Sequence, residues 1–141
     1  MHENDRVLLV VREWVQKAEN DLKNAVNTLK MGEDCPTDTV CFHAQQCVEK
    51  YLKAFLVSRD IDFPRTHDIG DLVDLMPRNI RIRLSVEEQQ RLTAYATTMR
   101  YPGEYEPLSL AQARKAVAIA RRVRGELRAI LSRKILRQGG N

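Results

Sequence analysis

Arg100, Tyr101 and Tyr105 stand together in the stretch MRYPGEYE, residues 99–106. An arginine presents a planar fork of donors that fits a phosphate, and a tyrosine ring can stack on a base. A second group of residues could support that chemistry. Phe42, Gln46, Glu49 and Lys53 are spaced +4, +3, +4, which makes them neighbours along one helix surface. Lys53 adds a point charge, and Glu49 and Asp21 are carboxylates able to orient it. His67, next to Asp68, brings an imidazole that titrates near neutral pH in its unperturbed form. If the helices bearing Asp21, Lys53 and Arg100 meet near the 99–106 loop, the three form a charged pocket suited to a phosphate. The same residues allow a plainer arrangement, in which Asp21 pairs with Arg100 to pin the loop and His67 with Asp68 caps a helix.

Other chemistries are less well supplied. Cys41, His43 and Cys47 are close in sequence, yet there is no CxxC and no HExxH, and a zinc site wants four ligands or three plus water. No metal and no cofactor are expected. A cysteine beside His43 or His67 could act as a nucleophile, but nothing marks a strained elbow or an oxyanion loop. Neither GxxxxGK[ST] nor GxGxxG occurs.

The elements that must position these residues are helical. Proline and glycine divide the text, and no strand alternation of any length appears. The spacing predicts a first helix from about Val7 to Met31, its apolar face formed by Val11, Trp14, Val15, Ala18, Leu22, Ala25, Val26 and Leu29. Asp21 lies at the edge of that face, where a carboxylate needs a donor or a cation. A second helix is predicted from about Asp38 to Arg59. It is apolar on most sides, so it is either the centre of a bundle or an oligomer interface. A short helix, about Asp68 to Met76, follows the loop RDIDFPRTHD. SVEEQQRLTAYATTM is a fourth helix opened by a capping box of Ser85 and Glu88. SLAQ, residues 109–112, opens a long fifth helix to about Leu136. Together these elements make an all-α protein, an antiparallel up-and-down four-helix bundle with an additional short helix. A single domain, 1–141, is expected, with its core at about 7–137 and a frayed tail at 138–141.

The net charge is +4. Residues 109–141 hold nine Lys/Arg and one acid, a balance of +8, which leaves −4 on residues 1–108. A basic helix on an acidic body can meet an anionic partner such as RNA, or can be a solvated face. The longest apolar runs fall well short of a membrane span, and MHENDR has no signal pattern. A cytoplasmic location is expected, with Cys35, Cys41 and Cys47 as free thiols.

FHAQQCVEKYLKAFLV, followed by HDIGDLVDL and RYPGEY, resembles the HEPN family of small prokaryotic helical proteins. Trp14, Ala18, Asp21, Leu22, Ala25 and Leu29 resemble that family's opening pattern, so the likeness spans roughly residues 10–130. The resemblance implies an up-and-down four-helix bundle that forms a homodimer, with functional clefts near the dimer interface. It implies a minimal nucleotidyltransferase as partner, the pair acting as a toxin–antitoxin or nucleotide-handling module. Many members are metal-independent RNases in which an Arg is followed four to six residues later by a His. Arg100 matches that Arg. Residues 105–107 are Tyr, Glu and Pro, and no His follows His67. Metal-free RNA cleavage needs a group to take the 2′-hydroxyl proton and another to protonate the leaving oxygen. Tyr105, with an unperturbed pKa of about 10, is a poor base, and His67 can replace the missing His only if the fold brings it to Arg100. In related pairs the nucleotidyltransferase adenylylates a Tyr close to the motif, a role that Tyr105 would inherit.

Three readings follow. The first is a non-enzymatic module that dimerises and binds a nucleotide or RNA phosphate. In it Arg100 is a forked contact, Lys53 a point charge, Tyr101 and Tyr105 are stacking surfaces, and Asp21, Gln46 and Glu49 form the supporting polar network. The second is an RNase toxin with a variant site, in which Arg100 stabilises the phosphate and Tyr105 or His67 moves protons. The third is a structural interaction protein whose second apolar face on helix two is a dimer seam.

Overall fold

The computed structural model describes residues 3–103, 106–131 and 133–136, with the side chains of Arg100, Arg133 and Lys134 excepted. Helix α1 spans Glu3–Leu29, α2 Thr37–Ser58, α3 Ile69–Asp74, α4 Val86–Ala96, α5 Leu110–Ile130 and α6 Arg133–Leu136. No strand occurs among the described residues, and no helix there is long and apolar enough to cross a membrane. Cross-helix contacts fix the directions. Trp14 meets Lys53 while Asp21 meets His43, so α1 and α2 are antiparallel. Thr37 bonds the Leu108 carbonyl and Arg128 bonds Tyr51, so α5 runs parallel to α2. Glu88 pairs with Arg122, while Tyr95 lies beside Gln112 and Lys115, so α4 opposes α5. The bundle is up-down-up-down.

α2 is the central element. Tyr51, Leu52, Phe55 and Leu56 are fully buried, and so are Cys47 and Ala54 on the side opposite the main apolar face. The chain's own helices α1, α3, α4 and α5 cover α2. Its all-round apolar character therefore marks the bundle centre, and the seam envisaged on its second face is not available to a partner.

Helix ends follow local chemistry. α1 begins earlier than its apolar periodicity suggests because Glu3 and Asp5 sit in its first turn, where acids favour the helix dipole. Gly32, at φ +67°, takes the left-handed conformation beyond the α1 end. Ser85 and Ser109 both accept from the backbone three residues on, with Glu88 and Gln112 returning the bond. Ser109→Ala should therefore cost about 1 kcal/mol, read as a lower urea midpoint with unchanged slope.

Two boundaries differ from the periodicity. α4 stops at Ala96 rather than running through Met99, and Thr97 has φ −122°, ψ −96° before the tight turn Thr98–Arg100. The hydroxyls of Thr93 and Thr97 donate back to the carbonyls of Gln89 and Thr93 at 2.9 and 2.8 Å, a habit that weakens the last helical turn. α5 ends at Ile130 instead of continuing to Leu136, because Leu131 is extended. The bend lets both Leu131 and Ile135 be buried, and the Ile135 carbonyl accepts from Arg12 Nε at 3.2 Å.

Candidate functional site

A buried carboxylate organises one side of α2. Glu49 is 3 % exposed and receives three donors: Gln45 Nε2 at 2.9 Å, His67 Nδ1 at 3.0 Å and Lys53 Nζ at 3.0 Å. Helical spacing explains two of them, because Gln45 and Lys53 are four residues to either side of Glu49. The third comes from the loop before α3. Asp68 caps that helix by accepting from Asp71 N at 3.1 Å, and Ile69 N donates to Thr93 Oγ1 of α4 at 3.0 Å. These two bonds set His67 against α2. Gln46 closes the row by donating to Gln45 Oε1 at 2.7 Å.

Burial pushes the Glu49 carboxyl up, but the hydrogen bonds from Gln45, His67 and Lys53 and the Lys53 charge outweigh it and hold the group below its ordinary range. Glu49 is therefore ionised at neutral pH. Lys53 is 7 % exposed, and its ammonium lies 5.4 Å from the Trp14 ring centroid and 5.7 Å from that of Phe63. Those two rings meet edge to face at 6.5 Å. Phe63 is brought back to α1 by the reversal after α2, where Asp60 takes φ +58°. The His67 side chain, by contrast, is 61 % exposed. Nδ1 bonded to an ionised carboxylate is the protonated nitrogen, so Nε2 is the nitrogen left for a ligand.

Asp21 belongs to a second network. It is 7 % exposed and pairs with His43 Nδ1 at 2.8 Å and Lys50 Nζ at 2.6 Å. The donor and the cation its position demanded both come from α2. Asp21 and Lys53 thus serve different partners, which corrects the expectation that they share one pocket. His43 and Lys50, seven residues apart and so on one side of α2, were the signal for this pairing. A third cluster ties α1, α2 and α5 together. Arg124 holds Glu19 through Nε at 2.6 Å and Nη2 at 3.0 Å, and the Tyr51 hydroxyl donates to Glu19 while accepting from Arg128.

The loop of the opening motif is described in part. The Arg100 backbone closes the turn Thr98–Arg100, and its side chain lies outside the described residues, as does Tyr105. Tyr101 is 64 % exposed. Arg100 follows Thr93 by seven residues, but the backbone turns at Thr97 between them; Thr93 itself anchors the start of α3 just after His67. Phe63, which meets Lys53 and Trp14, was not singled out by helical pattern because it lies in a loop.

Burial disfavours the thiolate form at all three cysteines. Cys41 and Cys47 are fully buried, and desolvation pushes both up to about 12, so the thiolate is scarce at neutral pH. Among the described residues no three His, Cys, Asp or Glu side chains converge as a metal site would require.

The carboxylates predict a pH response. Glu19, Glu49, Glu88 and Glu126 are all held below their usual value of 4.5, since hydrogen bonds and charge outweigh the desolvation that raises each. In the window below 4.5 the unfolded chain binds more protons than the folded one. Their contribution is complete above that value and lost as pH falls through the lowered folded values. The urea midpoint should hold from neutrality to about pH 5 and then drop steadily.

Solved structures with the same architecture are known. TT1696 from Thermus thermophilus superposes with a TM-score of 0.75 at 26% identity, covering 86% of this chain and 98% of that one. ST0689, an archaeal HEPN homologue, gives a TM-score of 0.68 at 26% identity with the same coverage. No curated protein matches the chain significantly. The HEPN domain family profile matches residues 11–130, which is most of the chain, and the protein therefore belongs to the HEPN family.

Proposed function

We propose that this protein is a HEPN module that dimerises, binds the phosphate of a nucleotide or an RNA, and works with a minimal nucleotidyltransferase. The observation that supports this reading best is the exposed His67 imidazole held by the buried, ionised Glu49. A ring fixed in this way leaves Nε2 for a ligand, and the Ile69–Thr93 bond ties the start of α3 to α4, the helix that precedes the 99–103 turn. Arg100 supplies a forked phosphate contact and His67 a second one. Tyr101, and Tyr105 beyond it, provide stacking surfaces for a base. Lys53 acts through Glu49, keeping that carboxylate charged rather than touching the ligand.

The same pair favours a second reading. A carboxylate-oriented imidazole is a competent general base, so His67 can stand in for the missing His of a metal-independent RNase, with Arg100 stabilising the phosphate. Incubating an RNA pool in EDTA with the wild type, Arg100→Ala and His67→Ala separates the two. The binding module retains RNA on native gels and leaves it intact. Fragments that disappear in both variants would replace it with the RNase. A folded protein that neither retains nor cleaves RNA, and binds no nucleotide, would sink both.

A further inference from the structure

The face shared by α1 and α5 carries two rungs of exposed cations. The Glu19–Arg124 pair fixes the register of these antiparallel helices. Lys23 is four residues past Glu19 on α1, and Arg121 is three residues before Arg124 on α5, so both lie on the face that this pair defines and at one level. Seven residues later on α1 comes Lys30, just beyond the end of that helix, and seven residues earlier on α5 comes Arg114. The two rungs are therefore separated by roughly 10 Å. All four residues are exposed, and none has an ion-pair partner among the described residues.

The acids of α1 and α5 beside the first rung are already committed, while Glu33 and Asp34 follow Lys30 in the turn after α1. Glu19 is held by both nitrogens of Arg124 and by Tyr51. Glu126, the one acid of α5, points away to Arg83, which bonds it through backbone N and Nε at 2.8 and 2.7 Å. Positive charge therefore accumulates along a straight line, with Arg forks at regular intervals. That suits an extended chain of phosphates better than a compact anion.

We propose that the α1/α5 face is a second binding surface, distinct from the His67 side, that takes the sugar–phosphate backbone of single-stranded RNA. The inference rests on RNA being a ligand of the protein, and it adds where the strand runs beyond the phosphate at His67. The test uses a labelled oligouridylate of roughly 20 nucleotides, followed by fluorescence anisotropy at several salt concentrations from about 50 mM upward. The double variant Arg114→Glu/Arg121→Glu changes only exposed side chains. It should bind at least tenfold more weakly and show a shallower salt dependence, by about 1.4 in the slope of log K against log salt. Titration with ATP should be unchanged in this variant. Equal binding of oligouridylate by variant and wild type would overturn the proposal. So would a wild type that binds ATP but no oligouridylate at low salt, which would make an acidic protein surface the better occupant. Oligouridylate binding lost in the double variant would support this face even if ATP failed to bind and the His67 site proved wrong.

Discussion

Glu49→Ala should lower the free energy of unfolding by roughly 3–5 kcal/mol, because it strands the buried Lys53 ammonium without its counter-charge. That is a large part of the 5–15 kcal/mol or so that holds a domain of this size together. Lys53 is 7 % exposed and lies between two aromatic rings, so water cannot readily replace the carboxylate. Gln45 and Gln46 would also lose the end of their hydrogen-bond chain. The double variant Glu49→Ala/Lys53→Met should be less destabilised than the sum of its single changes, since neither charge is then left alone. Urea unfolding of the four proteins measures this coupling. Additive losses would show that the pair is an incidental contact.

The second large effect concerns ligand affinity. Arg100→Ala should weaken ATP binding ten- to a hundredfold, the range expected when charge-assisted bonds worth about 1.5–3 kcal/mol are removed. The urea midpoint of the variant, measured alongside, separates lost binding from lost folding. His67→Ala should weaken binding less, because it removes one contact and leaves the Arg100 fork in place. Calorimetric titration of wild type and both variants checks the ordering. Identical affinities in all three would remove the 99–103 turn and His67 from the site.

How far the sequence reached depended on the range of each interaction. The bundle was legible because apolar spacing in α1, α2 and α5 and the boxes at Ser85 and Ser109 are local signals. The ridge of Gln46, Glu49 and Lys53 was legible for the same reason, since all three lie on one helix. The partner of Glu49 was not. His67 is eighteen residues away in sequence, and only the α3 cap and the Ile69–Thr93 bond bring it there. Asp21 was recognised as needing a cation, but the choice of Lys50 over a more distant residue depends on how α1 packs on α2. The ends of α4 and α5 were overextended because apolar periodicity continues past Thr97 and Leu131 while the backbone turns. Side-chain hydroxyls compete for carbonyls at the first position, and Leu131 and Ile135 both gain burial at the second.

A phosphate ligand on this protein should meet both His67 and the turn after α4. The most direct measurement is an NMR titration of nitrogen-labelled protein with ATP, following the His67 ring nitrogens and the amides of residues 98–103. Saturable shifts are expected at His67 Nε2 and in that turn, both abolished by Arg100→Ala. Shifts confined to the Arg114 and Arg121 face, or none at His67 when binding is saturated, would contradict that placement.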